Sequence, residues 1–229
     1  MAKKHNKIYL ITFITLEIVI AILVQLTSGV FNTIVSFSAV VFAFIYSILN
    51  YNKFTKLIVF GLFTTVCADI FLVVCEPMKQ NIAMCFFSIT QICYFIYIYN
   101  NQTHKQQKLN IIIRTIIIVL SLLITILVLK ENTDFLSLIA LFYYANLIVN
   151  GIFSLIVKNK NICLSIGLIL FACCDLVIGF SIMSETYIPL KEGTALYFIA
   201  NSGFNLAWIF YVPSQTMISI ATKKDYNLN

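Results

Sequence analysis

Charged residues, proline and glycine are all scarce in this chain, and each shortage excludes a class of protein. Asp, Glu, Lys and Arg make up 10% of the 229 residues, whereas a soluble domain uses about 25%. The 7 glycines and 3 prolines are too few for the many turns of a β-barrel. With 61% hydrophobic residues and a mean hydropathy of +0.96, the composition predicts an all-α integral membrane protein.

Motifs for metals, cofactors and nucleotides are also missing from the sequence. It has no Gly-rich phosphate loop and no HExxH pattern, and its two histidines, His5 and His104, lie in polar segments outside the apolar runs. The seven cysteines fall in or at the ends of apolar runs without the spacing of a metal site. We therefore expect no metal, no cofactor and no disulfide, and we interpret the cysteines as small apolar fillers.

Apolar stretches of about 20 residues recur along the chain, which is the length a helix needs to cross the hydrocarbon core. Connections between them are short, so neighbouring helices should pack antiparallel. We expect one integral membrane domain over residues 1–229, a polytopic bundle of about eight transmembrane helices. The predicted spans are residues 8–26, 30–49, 56–75, 81–99, 110–129, 134–157, 161–183 and 194–220.

Basic residues are distributed unevenly between the two ends of these spans. Twelve lie on the side of the amino terminus and three on the other side, which predicts that both termini are cytoplasmic. The net charge of +6 then reflects membrane topology, and we expect no nucleic-acid partner. Richness in Asn, Ile and Lys indicates an AT-rich genome, which favours a bacterial plasma membrane. The twelve are Lys3, Lys4, Lys7, Lys53, Lys56, Lys105, Lys108, Arg114, Lys158, Lys160, Lys223 and Lys224, and the three are Lys79, Lys130 and Lys191.

Two spans resemble each other in sequence. The third contains GLFTTVCADIFLV from Gly61 and the seventh contains GLILFACCDLVIG from Gly167, so each has Gly-Leu followed by an aspartate eight residues after the glycine. The two segments are 106 residues apart, close to half the chain. Four helices per half would give the halves the same orientation, which suggests two parallel four-helix repeats.

Three carboxylates, Glu17, Asp69 and Asp175, lie in the interior of predicted spans, away from their ends. Each costs about 2.5–3.5 kcal/mol at a helix centre, so each needs a partner or a function. Asp69 lies 13 residues beyond Lys56 and Asp175 lies 15 beyond Lys160. At about 1.5 Å per residue, both lie roughly 20 Å from the inner boundary and can face one cavity.

A pair of carboxyl groups in a cavity of low dielectric constant does not ionise fully. One group then remains a neutral acid beside an ionised base, which suits general acid–base hydrolysis. No basic residue is expected within the membrane at this depth, which argues against a simple ion pair. Two alternatives remain open: aspartates that hold helices together through hydrogen bonds, and a proton-coupled transporter with paired carboxylates. Glu17 has no evident partner and no assigned role.

Further polar residues in the spans could complete a pocket around the two aspartates. Asn and Gln in membrane helices commonly form hydrogen bonds between helices, and tyrosines near the interface are commonly anchors, so each has a structural alternative. The predicted substrate-binding residues are Gln91, Tyr94, Asn146, Asn205, Tyr211 and Gln215.

Four stretches of this chain resemble the YhhN family of lysoplasmalogenase-like membrane proteins. GLFTTVCADIFLVV (61–74) is similar to the family's first aspartate helix, and FFSITQICYFIYI (86–98) to the aromatic segment after it. IGLILFACCDLVIGF (166–180) is similar to the second aspartate helix, and AWIFYVPSQTMISI (207–220) to the closing Tyr-x-x-x-Gln helix. Ala68 and Cys174 stand where the family often has Gly and Ser, and both keep a small residue before the aspartate.

The resemblance implies hydrolysis of the vinyl ether bond of a lysoplasmalogen. The products would be a fatty aldehyde and a glycerophospho-ethanolamine or -choline, with Asp69 and Asp175 as the catalytic pair and a lysophospholipid as the partner. The sequence leaves open which aspartate is the acid, which headgroup is preferred and what the oligomeric state is.

Overall fold

The computed structural model describes residues 2–157, 161–186, 191–201 and 206–223, and within these ranges it is helical with no strand. Seven helices, counting α3 together with a π-helical turn at Ile70–Val74, are long and apolar enough to cross a membrane. The all-α polytopic bundle predicted from hydropathy is therefore confirmed. The helices are α1 Ala2–Leu26, α2 Gly29–Asn50, α3 Lys56–Asp69, α4 Gln80–Asn100, α5 His104–Leu129, α6 Phe135–Ile156, α7 Ile162–Thr186, α8 Ala195–Ala200 and α9 Leu206–Ile220.

The eighth predicted span, residues 194–220, is divided in the structure. Its first part is the short helix α8, and its second part is α9, which has 15 residues and contains Pro213. Residues 202–205, between the two helices, lie outside the described residues. A helix of 15 residues is shorter than a full crossing of the hydrocarbon core requires.

The fifth helix starts six residues earlier than the predicted start at residue 110. A capping box at Thr103 begins α5, because the Thr103 hydroxyl accepts from the backbone N–H of Gln106 while the Gln106 side chain accepts from the backbone N–H of Thr103. The polar segment that we predicted to be a loop is thus the first turns of the helix. Arg114, counted above among the twelve basic residues on the amino-terminal side, lies within α5 and is only 7% exposed, so it belongs to the interior of the bundle.

The two glycines of the internal echo let helices approach closely. A Cβ atom on Gly61 would lie 2.4 Å from the Tyr94 ring of α4, and one on Gly167 would lie 2.6 Å from the Ile218 side chain of α9. Because glycine has no Cβ atom, each aspartate helix can pack directly against the neighbouring helix at this position. This shared role gives the sequence similarity of the two segments a physical reason.

The helix packing has the order expected of two related four-helix units. The neighbouring pairs α1–α2, α2–α3 and α3–α4 correspond to α5–α6, α6–α7 and α7–α9. The packing of α2 on α9 corresponds to that of α6 on α4, which joins the two units. A two-fold exchange of the halves, as parallel repeats produce, accounts for these pairs.

Candidate active site

A cavity of about 580 Å³ opens among α3, its π-helical turn, α4, α6, α7 and α9. Its lining is mainly apolar, with Leu72, Met84 and Leu141 among the aliphatic side chains and Phe87 and Phe171 among the aromatic ones. The volume lies within the range of about 300–1,000 Å³ that small-molecule sites occupy. An apolar cavity of this size can hold part of an acyl or alkenyl chain.

Asp69 and Asp175 both line this cavity, as their equal depth predicts. Asp69 is the last α-helical residue of α3 and is 2% exposed, and Asp175 lies in the middle of α7. The structure thus brings two carboxyl groups from the two halves of the chain onto one apolar surface.

A tyrosine hydroxyl donates a hydrogen bond to each aspartate. Tyr211 of α9 donates to Oδ2 of Asp69 at 2.6 Å, and Tyr143 of α6 donates to Oδ2 of Asp175 at 2.5 Å. Both tyrosines are buried and line the cavity. A hydrogen-bond donor stabilises the ionised form of a carboxyl group, so either aspartate has the partner that a carboxylate needs in this environment.

Aromatic rings hold the two tyrosines in place. Phe171 packs edge-on against both, with ring centroids 5.4 Å from Tyr211 and 6.2 Å from Tyr143. Phe87 adds a contact of 5.5 Å to Tyr143, and Trp208 one of 5.3 Å to Tyr211. Ring contacts of this kind fix the directions from which the hydroxyl groups reach the carboxyl groups.

The helix geometry changes directly after Asp69. Residues Ile70–Val74 form a π-helical turn in which the backbone N–H of Cys75 donates to the carbonyl of Ile70 at 2.9 Å. Two residues of this turn, Leu72 and Val73, line the cavity. Turns of this type are frequently found at functional sites.

Of the six predicted binding residues, one lines the cavity, four do not and one is not described. Tyr211 lines the cavity, and Asn205 lies outside the described residues. Tyr94 packs on Gly61, and Gln215 is 1% exposed with no hydrogen-bond partner in the described part of the chain. None of Gln91, Tyr94, Asn146 and Gln215 is part of the cavity lining, and their role in binding stays a prediction.

Gln91 and Asn146 belong to a second buried polar cluster, centred on Arg114. The guanidinium group donates to the side-chain oxygens of three asparagines: Asn110 at 3.2 and 3.3 Å, Asn146 at 2.6 Å and Asn150 at 2.8 Å. Asn150 in turn donates to Gln91. A basic residue thus lies inside the bundle, but neutral amides bind it and the aspartates do not.

Glu17 is buried in α1 at 2% exposure, and neither carboxyl oxygen has a hydrogen-bond partner among the described residues. It does not line the cavity. No group of three or more His, Cys, Asp or Glu side chains in the described ranges is placed to hold a metal ion. Around Asp69 and Asp175, the cavity presents two carboxyl groups and the hydroxyl groups of their two tyrosine partners.

Comparison with protein families gives a match over most of the chain. The family model of the YhhN family matches residues 28–219, a range that includes both aspartates and both tyrosines. No curated protein and no solved structure gives a significant match. The family includes lysoplasmalogenases and is associated with hydrolase activity. Since the match covers most of the chain, the protein belongs to the YhhN family.

Proposed function

We propose that this protein is an intramembrane hydrolase that cleaves the vinyl ether bond of lysoplasmalogens. The observation that carries the proposal is the pair Asp69 and Asp175 on one apolar cavity, in a member of the YhhN family. Burial of two carboxyl groups at an apolar cavity costs free energy, and helix packing alone does not need such groups. Acid–base chemistry on a lipid is the function that fits both the pair and the cavity.

The first step of the proposed reaction is transfer of a proton from one neutral aspartic acid. The proton adds to the alkenyl carbon that does not bear oxygen, and an oxocarbenium ion forms at its neighbour. The other aspartate lines the same cavity, and we assign to it, in its ionised form, the stabilisation of this cation. Each tyrosine engages Oδ2 of its carboxyl group, and we assign Oδ1 of each to the substrate or to water.

The second step adds water to the oxocarbenium ion. The ionised aspartate accepts a proton from the water as its oxygen bonds to carbon, which gives a hemiacetal. The hemiacetal hydroxyl then gives up its proton and its carbon–oxygen bond becomes the carbonyl double bond, while the bond to the glycerol oxygen breaks and that oxygen takes up a proton. The products are a fatty aldehyde and a glycerophospho-alcohol. One water molecule is consumed, and the original protonation of the pair is restored once the proton passes between the two groups.

The experiment is aldehyde release from a lysoplasmalogen by the purified, detergent-solubilised protein. We expect release by the wild type and none by Asp69→Asn or Asp175→Asn. Glu17→Gln is the matched control, because it neutralises an equally buried carboxyl group that lies off the cavity. No release by a folded, lipid-supplied wild type would refute the proposal, and flux assays in liposomes would then test the proton-coupled transporter. Full activity of either aspartate variant would refute the assignment of the site.

We also propose the orientation and location: a bacterial plasma membrane with both termini in the cytoplasm. The excess of lysine at the amino-terminal side of the spans supports this proposal. Labelling of single cysteines by an impermeant thiol reagent tests it. A cysteine placed beside Lys53 should be protected in intact cells, and one placed beside Lys130 should be labelled. The reverse pattern would overturn the orientation.

A further inference from the structure

The catalytic cavity has a second polar zone at the end where α4 and α6 begin. Gln80 is the first residue of α4, Asp134 is the N-cap of α6, and Ser137 lies one turn into α6; all three line the cavity. Between this rim and the catalytic pair the lining is apolar, with Met84 and Ala140 on the same two helices. The cavity therefore offers one polar zone at its rim and one at the aspartates.

Asp134 is a charged group held in a fixed position. Its Oδ1 accepts from the backbone N–H of Ser137 at 2.8 Å, and the backbone N–H of Asp134 donates to the Ser137 hydroxyl at 3.2 Å. Hydrogen bonds from Ser137 lower the pKa of Asp134 below its ordinary range, so the group is ionised at neutral pH. No lysine or arginine among the described residues lines the cavity, and Asp134 forms no ion pair with any of them. The rim is thus anionic.

The separation of the two zones matches a phospholipid headgroup. Asp134 lies nine residues before Tyr143, the partner of Asp175, which is about 14 Å along a helix axis at about 1.5 Å per residue. In an ethanolamine lysoplasmalogen, ten bonds separate the oxygen-bearing vinyl carbon from the amine nitrogen. At about 1.2 Å per bond, the rise of an extended chain, those bonds span about 12 Å.

We propose that Asp134 recognises the alkylammonium group of the substrate and selects amine-bearing headgroups over headgroups without a cation. This inference rests on the proposed function, since it places the vinyl ether at the aspartates. The carboxylate attracts the ammonium group at the rim while the phosphate lies beside Gln80 and Ser137. A headgroup that ends in glycerol has no charge for Asp134 to pair with.

Two variants separate charge from helix capping. Asp134→Asn removes the charge and keeps a side-chain oxygen that caps the helix equally well. Glu131→Gln is the control variant. It removes a negative charge from an exposed residue near the start of α6, and Glu131 does not line the cavity. The assay compares kcat/KM for two lysoplasmalogens that differ only in an ethanolamine or a glycerol headgroup.

We expect the wild type and Glu131→Gln to prefer the ethanolamine lipid, and Asp134→Asn to lose about 2- to 10-fold of that preference through KM, as for a solvent-accessible ion pair. A preference unchanged in Asp134→Asn, or lost equally in Glu131→Gln, would overturn the proposal.

A binding experiment keeps the inference testable if hydrolysis fails. Lysophospholipids with a saturated alkyl ether in place of the vinyl ether cannot follow the proposed reaction. Their binding is read from the rise in melting temperature of the detergent-solubilised protein. Amine-selective stabilisation of the wild type that Asp134→Asn abolishes supports the rim site even if no aldehyde forms. Equal stabilisation by both headgroups contradicts it.

Discussion

Removing one tyrosine hydroxyl at a time should show which aspartate is ionised during catalysis. Tyr211→Phe deletes the donor to Asp69, and Tyr143→Phe deletes the donor to Asp175. Both rings remain, so their contacts with Phe171 persist and the fold should be kept. The donor matters most where the carboxyl group carries charge in the transition state, so the two variants should differ.

The magnitude follows from the strength of a hydrogen bond to a charged group, about 1.5–3 kcal/mol. At about 1.4 kcal/mol per tenfold, loss of the donor to the ionised aspartate should lower kcat/KM by about 10- to 150-fold. Loss of the donor to the neutral acid should cost clearly less. The variant with the larger fall identifies the aspartate that activates water.

Aldehyde release by the purified variants measures these effects, with Tyr144→Phe as the matched control. Tyr144 also lines the cavity, but its hydroxyl reaches only the carbonyl of Ala172, at 3.5 Å. It should therefore retain activity close to that of the wild type. If neither Tyr143→Phe nor Tyr211→Phe lowers kcat/KM by more than the control does, the hydrogen bonds to the aspartates do not contribute to catalysis and the reasoning is refuted.

Three further predictions concern packing, the buried cation and pH. Gly61→Ala should lower the free energy of unfolding by about 1–3 kcal/mol, because its Cβ would overlap the Tyr94 ring at 2.4 Å. Gly151→Ala should leave the free energy of unfolding unchanged or raise it, because the nearest atom to its Cβ lies 3.9 Å away. Melting temperatures in detergent compare the two, and equal behaviour would contradict the close approach. Arg114→Lys should destabilise by about 1–3 kcal/mol, since one ammonium group cannot replace a planar fork that contacts three asparagines; a wild-type melting temperature would count against this. Because the pKa of Asp134 is lowered, the headgroup preference should stay constant from about pH 5 to 8 and be lost only as the pH falls through the lowered pKa. A preference that changes with pH between about 5 and 8 would show that another group provides it.

Most of the helices could be predicted from the sequence because each apolar run is bounded by polar residues. The start of α5 was placed six residues too late because its first turns are polar. A signal was present, since Thr103 and Gln106 have the spacing of a capping box. The π-helical turn after Asp69 has no comparable signal, because it depends on how α3 meets its neighbours.

The two aspartates could be predicted because ionisable residues are rare in membrane spans. Their tyrosine partners could not, because the partner depends on which helix faces meet. Tyr143 and Tyr144 are adjacent in sequence and both line the cavity, yet only Tyr143 reaches Asp175. The partners of Arg114 could not be predicted because Asn146 and Asn150 reach it only when α5 and α6 pack together. The position of Asp134 on the rim likewise appears only when α4 and α6 are packed together.

The asparagine cluster around Arg114 has a consequence for biogenesis. When α5 enters the membrane during synthesis, the one cluster asparagine on the same helix is Asn110, whereas Asn146 and Asn150 are on α6, which is made later. A lone guanidinium group in lipid costs about 2.5–3.5 kcal/mol at a helix centre. Since α5 and α6 are also joined by a short connection, the translocon should release them to the bilayer as a helical hairpin, with the arginine already enclosed.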